Sequence, residues 1–154
     1  MKRRSFLKSS VATSVLGVAA GAGLLTPQMV LAAWPKAAFE AKTLDGGMEA
    51  ALGSSNTIES GEIKIKAPDI AENGAVVPIT ISTSLPGVDT IAVFIKENPV
   101  PIAATYELGS TTQGFISCRV KMGKTSDLIA VVKSGGKLYS AKKMVKVTIG
   151  GCGG

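Results

Sequence analysis

The 154-residue sequence contains no histidine and only two cysteines. Without an imidazole it lacks both the usual general base near neutral pH and the commonest metal ligand. Two thiols alone hold a metal poorly, so the chain is poorly equipped for metal-dependent chemistry. A thiol here also has no histidine partner to activate it as a nucleophile. There is no C-x-x-C pair, which removes the motif of a disulfide oxidoreductase, and no glycine-rich phosphate loop after a strand. Long hydrophobic runs are scarce. The one candidate, from about Val11 to Leu25, is diluted by Ala and Gly and interrupted by Pro27 and Gln28 before it becomes a good spanning helix. No internal repeat is visible, and no low-complexity linker apart from the last residues.

The beginning of the sequence, MKRRSFLK, places Arg3 beside Arg4 and follows them with Ser5, Phe6, Leu7 and Lys8. With the moderately apolar run behind it, this is a twin-arginine export signal. Small residues follow, and Val30-Leu31-Ala32 is the best cleavage site, with the cut after Ala32. No cysteine lies just behind the run, which argues against a lipid anchor. Residues 1–32 are therefore expected to be a signal peptide and the mature chain, 33–154, to be periplasmic and to form one domain. The formal charge of the whole sequence is +6 from 17 basic and 11 acidic residues, but Lys2, Arg3, Arg4 and Lys8 belong to the signal, which leaves +2. The basic balance thus says nothing about nucleic acid. The twin-arginine route carries folded cargo. With no cofactor ligands in sight, we expect no cofactor and a partner subunit exported as a passenger.

In the mature chain, residues 36–52 read as helical at both ends, with Phe39, Met48 and Leu52 available for an apolar face and Gly46-Gly47 as the expected break. From Gly61 onward the pattern has period two. Ile63 and Ile65 alternate with Glu62, Lys64 and Lys66, and the β-branched runs AVVPITIST, TIAVFIKEN, GFISCRVKM, DLIAVVKS and KLYSAKKMVKVTI follow. Asn73-Gly74 is a hairpin-type turn signal, Pro78 marks an edge or a bulge, and Gly135-Gly136 reads as a tight hairpin. Six or seven short strands with short turns predict an all-β fold, an immunoglobulin-like antiparallel β-sandwich over 33–149 with a short N-terminal helix and a flexible tail at 150–154. A small barrel is the alternative.

The two cysteines have different settings. Cys118 shares its strand parity with Ile116, Val120 and Met122, against Ser117, Arg119 and Lys121, and is expected to face the core as a small hydrophobe. Cys152 sits in IGGCGG, between Gly150, Gly151, Gly153 and Gly154. Glycines have no side chain to pack and much backbone entropy to lose, so this stretch is expected to be exposed and to act as a slender arm. Nothing in it activates the thiol. The activating groups must belong to whichever enzyme receives the arm, which distinguishes a carrier from an enzyme.

The tail VKVTIGGCGG resembles the C-terminus of the SoxY family, substrate-carrier subunits of the periplasmic thiosulfate-oxidising system. IKAPDIAENGAVVPITISTSLPG, KTSDLIAVVKSGGKLYSAKKMVKVTIGGCGG and AWPKAAFEAK extend the resemblance over nearly the whole mature chain. The resemblance implies a heterodimer with SoxZ, which has no export signal of its own. It implies that SoxAX, a haem enzyme, couples thiosulfate oxidatively to the tail cysteine to give a cysteine S-thiosulfonate. The manganese hydrolase SoxB then releases sulfate and, where present, SoxCD oxidises the remaining sulfane sulfur. The carrier cysteine maps onto Cys152 and its flexible flanks onto Gly150, Gly151, Gly153 and Gly154; Cys118 is outside the motif.

Two other readings compete. A ubiquitin-like sulfur carrier also ends in Gly-Gly but needs ATP to activate its carboxyl, which an exported protein lacks. An exported β-sandwich binding module, whose terminal cysteine forms an intermolecular disulfide, is the non-chemical alternative.

Overall fold

The structure, a computed structural model, describes residues 35–148. The signal segment 1–32 and the tail 150–154 lie outside the described residues.

Two short helices open the described chain, α1 (Lys36–Glu40) and α2 (Leu44–Leu52). The break between them is not at Gly46-Gly47, as the sequence suggested, but at Ala41–Thr43, where the backbone turns extended at both Ala41 and Thr43. Thr43 caps α2 by accepting a hydrogen bond from the Gly46 N–H at 3.2 Å. Both glycines are helical, and Gly47 packs on the sheet beneath. A Cβ on Gly47 would sit 3.6 Å from the ring of Phe94. Gly53, left-handed at φ 82, ends the helix.

Nine strands follow. They are β1 (Ile58–Glu59), β2 (Ile63–Lys66), β3 (Ile70–Ala71), β4 (Val77–Thr83), β5 (Val88–Ile95), β6 (Ile102–Glu107), β7 (Phe115–Val120), β8 (Ser126–Ser134) and β9 (Lys137–Val147). They form two sheets. The larger runs β1-β9-β8-β5-β6, with β3 also on β9, and the smaller runs β2-β4-β7. This is the expected β-sandwich, with one departure from antiparallel order. β1 and β3 both pair in parallel with β9, Ile58 opposite Tyr139 and Ile70 opposite Lys146. The chain therefore crosses from the large sheet to the small one and back at this flank, stitching it closed. The opposite flank, between edge strands β6 and β7, is open.

The core lies between the sheets. Ile91, Val93, Ile95, Leu128, Ala130 and Val132 from the large sheet meet Val77, Ile79, Ile81, Ile116 and Val120 from the small one. A second apolar layer forms on the outer face of the large sheet, where Ala38 and Met48 of the helices cover Ala92, Phe94, Ile102, Val131 and Leu138. This is why Ile91 to Ile95 are buried without alternation. Both faces of β5 are covered, so both parities had to be apolar.

The turn signals resolve differently. Gly135 and Gly136, at φ 56 and 76, close the two-residue β8–β9 hairpin with Ser134 opposite Lys137. Asn73-Gly74 does turn the chain, the Asn73 Oδ1 accepting from the Ala75 N–H at 2.9 Å. It joins β3 in one sheet to β4 in the other, however, so it is a crossover and not a hairpin. Pro78 has a strand neighbour on one side only, Arg119 of β7, because β2 stops at Lys66 opposite Thr80. The missing N–H is tolerated at that local edge.

Candidate functional site

Cys152 and its flanking Gly150, Gly151, Gly153 and Gly154 lie outside the described residues, so what the structure supplies is the root from which they leave. That root is the last part of β9. The Lys146 N–H bonds to the carbonyl of Asp69 at 2.9 Å, and the Thr148 N–H to that of Ala71 at 3.1 Å. Between them, the Val147 N–H bonds to the Thr125 hydroxyl at 3.0 Å. The strand is thus held on alternate sides by β3 and by the β7–β8 loop up to Thr148. From there to Cys152 is four residues, a reach of roughly 13–14 Å when extended.

The packing beneath the root is close. The Met122 N–H bonds to the Gly74 carbonyl at 2.7 Å. A Cβ on Gly74 would collide with the Met122 carbonyl and come within 2.7 Å of Val147 Cγ1. The Asn98 side chain fastens the same loop, donating to the Lys121 carbonyl at 2.8 Å and accepting from the Gly123 N–H at 3.1 Å. On the inner side of β9, Lys143 pairs with Asp69 at 3.0 Å and donates to the Ala67 carbonyl at 2.7 Å. It ties the segment leading into β3 to the strand that carries the root.

Cys118 is where parity placed it, opposite Ile79 on the core side of β7, although only half-buried. Its thiol is free. Sequence reading missed its neighbour, Tyr106 on β6. A hydrogen bond to the Cys118 sulfur, then burial, then the charge on that sulfur when ionised together push the Tyr106 hydroxyl up to about 12. No sequence spacing signals such a contact between edge strands of different sheets. The pair belongs to the sandwich, at the open flank.

Among the described residues, no group of three or more Cys, Asp and Glu is placed to hold a metal, and no helix is long and apolar enough to cross a membrane. A hydroxyl-lined cleft formed by Thr83, Ser84, Ser110, Thr112 and Gln113 lies at the end of the sandwich away from the root. Among the described residues, the feature nearest Cys152 in the chain is thus the pinned end of β9.

Comparison with known proteins agrees with this architecture. The sulfur oxidation protein SoxY family matches over residues 48–152, a span that runs from α2 through Cys152. The solved structure of the sulfur carrier protein SoxY from Chlorobium limicola f thiosulfatophilum is 45% identical, with a TM-score of 0.64 over 73% of this chain and 97% of that one. A lytic polysaccharide monooxygenase from Jonesia denitrificans aligns at 14% identity over 70% of this chain and 73% of that one, with a TM-score of 0.38, too low to carry a structural conclusion. No curated protein sequence matches. The family match extends past the last strand into the glycine-flanked cysteine, and the solved relative shares nearly half its residues with this chain; the chain belongs to the SoxY family of sulfur oxidation proteins.

Proposed function

We propose that this protein is a covalent carrier of sulfur intermediates in thiosulfate oxidation, with the substrate attached to Cys152 on an arm made of Gly150, Gly151, Gly153 and Gly154. The observation that carries the proposal is the extent of the family match, which includes Cys152, in a chain that has no histidine to activate that thiol. The solved relative is itself described as a sulfur carrier. The pinned root supports the reading. A rigid strand end followed by four residues lets the sulfur reach well beyond the body while the body stays fixed.

In this scheme the protein holds and the partner enzymes react. SoxAX joins the thiol of Cys152 to the outer sulfur of thiosulfate. An S–S bond forms, the thiol proton goes to solvent, and two electrons pass to the haem enzyme. The product is Cys152 S-thiosulfonate. SoxB then adds water to the sulfonate sulfur, breaking the S–S bond and releasing sulfate and a proton. A persulfide stays on Cys152 as substrate for SoxCD where that enzyme is present. The carrier contributes tethering: a reactive intermediate cannot diffuse away, and successive encounters involve one bound substrate at high effective concentration. It is not itself an enzyme and has no cofactor. Residues 1–32 act as a twin-arginine signal that delivers the protein to the periplasm together with SoxZ, its heterodimer partner.

Intact mass and peptide mapping of protein purified from thiosulfate-grown cells test the scheme. Sulfur adducts confined to the Cys152 peptide and removed by a thiol reductant are expected. Adducts on Cys118, or a plain Cys152–Cys152 disulfide as the only modification, would overturn it and favour the binding-module reading.

A further inference from the structure

The strand that leads to the arm carries an uncovered apolar patch. Along β9 the odd-numbered side chains face the core between the sheets and the even-numbered ones face outward. Leu138 is covered by the helices. Beyond them, Met144 is 59% exposed, and Ile70, in register with Lys146 and so on the same face, is 57% exposed. These are the two most exposed large hydrophobic side chains among the described residues. Lys142 and Lys146 flank Met144 on this face, and neither forms an ion pair with another described residue. They contrast with Lys143 on the inner face, which is committed to Asp69.

The patch borders the root. Ile70 precedes Ala71, whose carbonyl accepts from the Thr148 N–H. Any enzyme that admits Cys152 must bring its surface within roughly 13–14 Å of Thr148, because only four residues separate the two. It must therefore cover ground beside the root. A permanent subunit seated on Ile70 and Met144 would interfere, since one packed β layer is about 10 Å deep and would use up most of that reach. A small apolar centre rimmed by lysines that pair with no described residue suits a transient encounter better than an obligate interface, which is larger and more apolar.

We propose that Ile70 and Met144, with Lys142 and Lys146 at their rim, form the docking face for the enzymes that receive the arm. The complementary surface on such an enzyme is a shallow apolar seat edged by carboxylates. This rests on the carrier reading of Cys152 and adds the place on the folded body where recognition happens. The apolar pair supplies residence and the lysines supply steering, so the second contribution weakens with salt.

The test uses the heterodimer with Cys152 loaded as the S-thiosulfonate and SoxB as the enzyme, following sulfate release. Ile70→Ser with Met144→Ser should raise the KM for the carrier by roughly tenfold or more, as loss of a buried apolar contact does at an interface, and leave kcat unchanged. Lys142→Glu with Lys146→Glu should raise KM at low salt and flatten its dependence on ionic strength. All four positions are exposed or at the strand surface, and melting temperature and alkylation of Cys152 by iodoacetamide should be as in the unaltered protein. An unchanged KM in both double variants would overturn the proposal. So would loss of the heterodimer in native mass spectrometry, which would make the patch the subunit interface. If the unaltered protein accepts no sulfonate on Cys152 at all, the carrier reading itself falls, and the docking proposal with it.

Discussion

Tyr106 on β6 of the large sheet lies beside Cys118 on β7 of the small one, across the open flank of the sandwich. The sheets are otherwise stitched at the opposite flank, where β1 and β3 share β9. The pair therefore sits on the side that backbone pairing leaves open.

The first prediction concerns that link. The folded state holds the Tyr106 proton up to about 12, against about 10 in an unfolded chain. The native protein binds more protons than the unfolded one between these values. The contribution is fully present below about pH 10 and is lost as pH rises toward 12. Cys118→Ala should bring the Tyr106 titration down toward 10, read by ultraviolet difference absorbance with Tyr106→Phe to assign the signal. An unmoved titration in Cys118→Ala would show that burial alone raises it.

The root should be intolerant of bulk underneath. Gly74→Ala places a methyl against the Met122 carbonyl and Val147. Backbone must shift to admit it, at a cost of about 1–3 kcal/mol for such overpacking. Urea denaturation should give a lower midpoint with an unchanged slope, and amide exchange should quicken at Val147 and Thr148. Wild-type protection at those amides would mean that the crossover loop relaxes without disturbing β9.

Phe94 is the seat of the helices. It is fully buried on the outer face of the large sheet, against Gly47 of α2. Phe94→Ala should cost about 3–5 kcal/mol. The helices should lose amide protection before the sandwich does, because the inner core of Ile79, Ile81, Ile91 and Val93 does not depend on that ring. Simultaneous loss in hydrogen exchange would show that the two apolar layers fold as one unit.

For the proposed arm, Cys152→Ser should abolish thiosulfate-dependent turnover and leave the melting temperature unchanged, whereas Cys118→Ser should keep turnover with a loss of about 1–2 kcal/mol from placing a hydroxyl on the core side. Gly151→Val should slow turnover with the partner enzymes, since it narrows the backbone states and thickens the arm. Alkylation of the thiol should be unaffected. Slower alkylation and a lower melting temperature in Gly151→Val would mean that the segment packs on the domain.

Much of the sandwich was legible because its physics is local. The alternation through Ile116, Cys118 and Val120 gave the inward face of β7, and two adjacent glycines specified a turn that needs positive φ twice. The helix break was misplaced because Gly46-Gly47 looks like a breaker in isolation. The pair stays helical where Thr43 caps the helix and Gly47 nestles against Phe94, a partner 47 positions away. β1 and β3 are two-residue strands, too short for any period, and exist only because β9 runs past them.

By itself, the sequence determined the longer strands β4, β5, β7, β8 and β9, the lack of any histidine and the glycine setting of Cys152, since each follows from residue type and spacing along the chain. Only the tertiary structure decided that β9 is pinned through Lys146, Val147 and Thr148, that Cys118 meets Tyr106, and that Ile70 and Met144 lie uncovered beside the root. Those relations join residues tens of positions apart across two sheets. Such pairings depend on which faces are covered and which edges meet, and no periodicity in the chain encodes that.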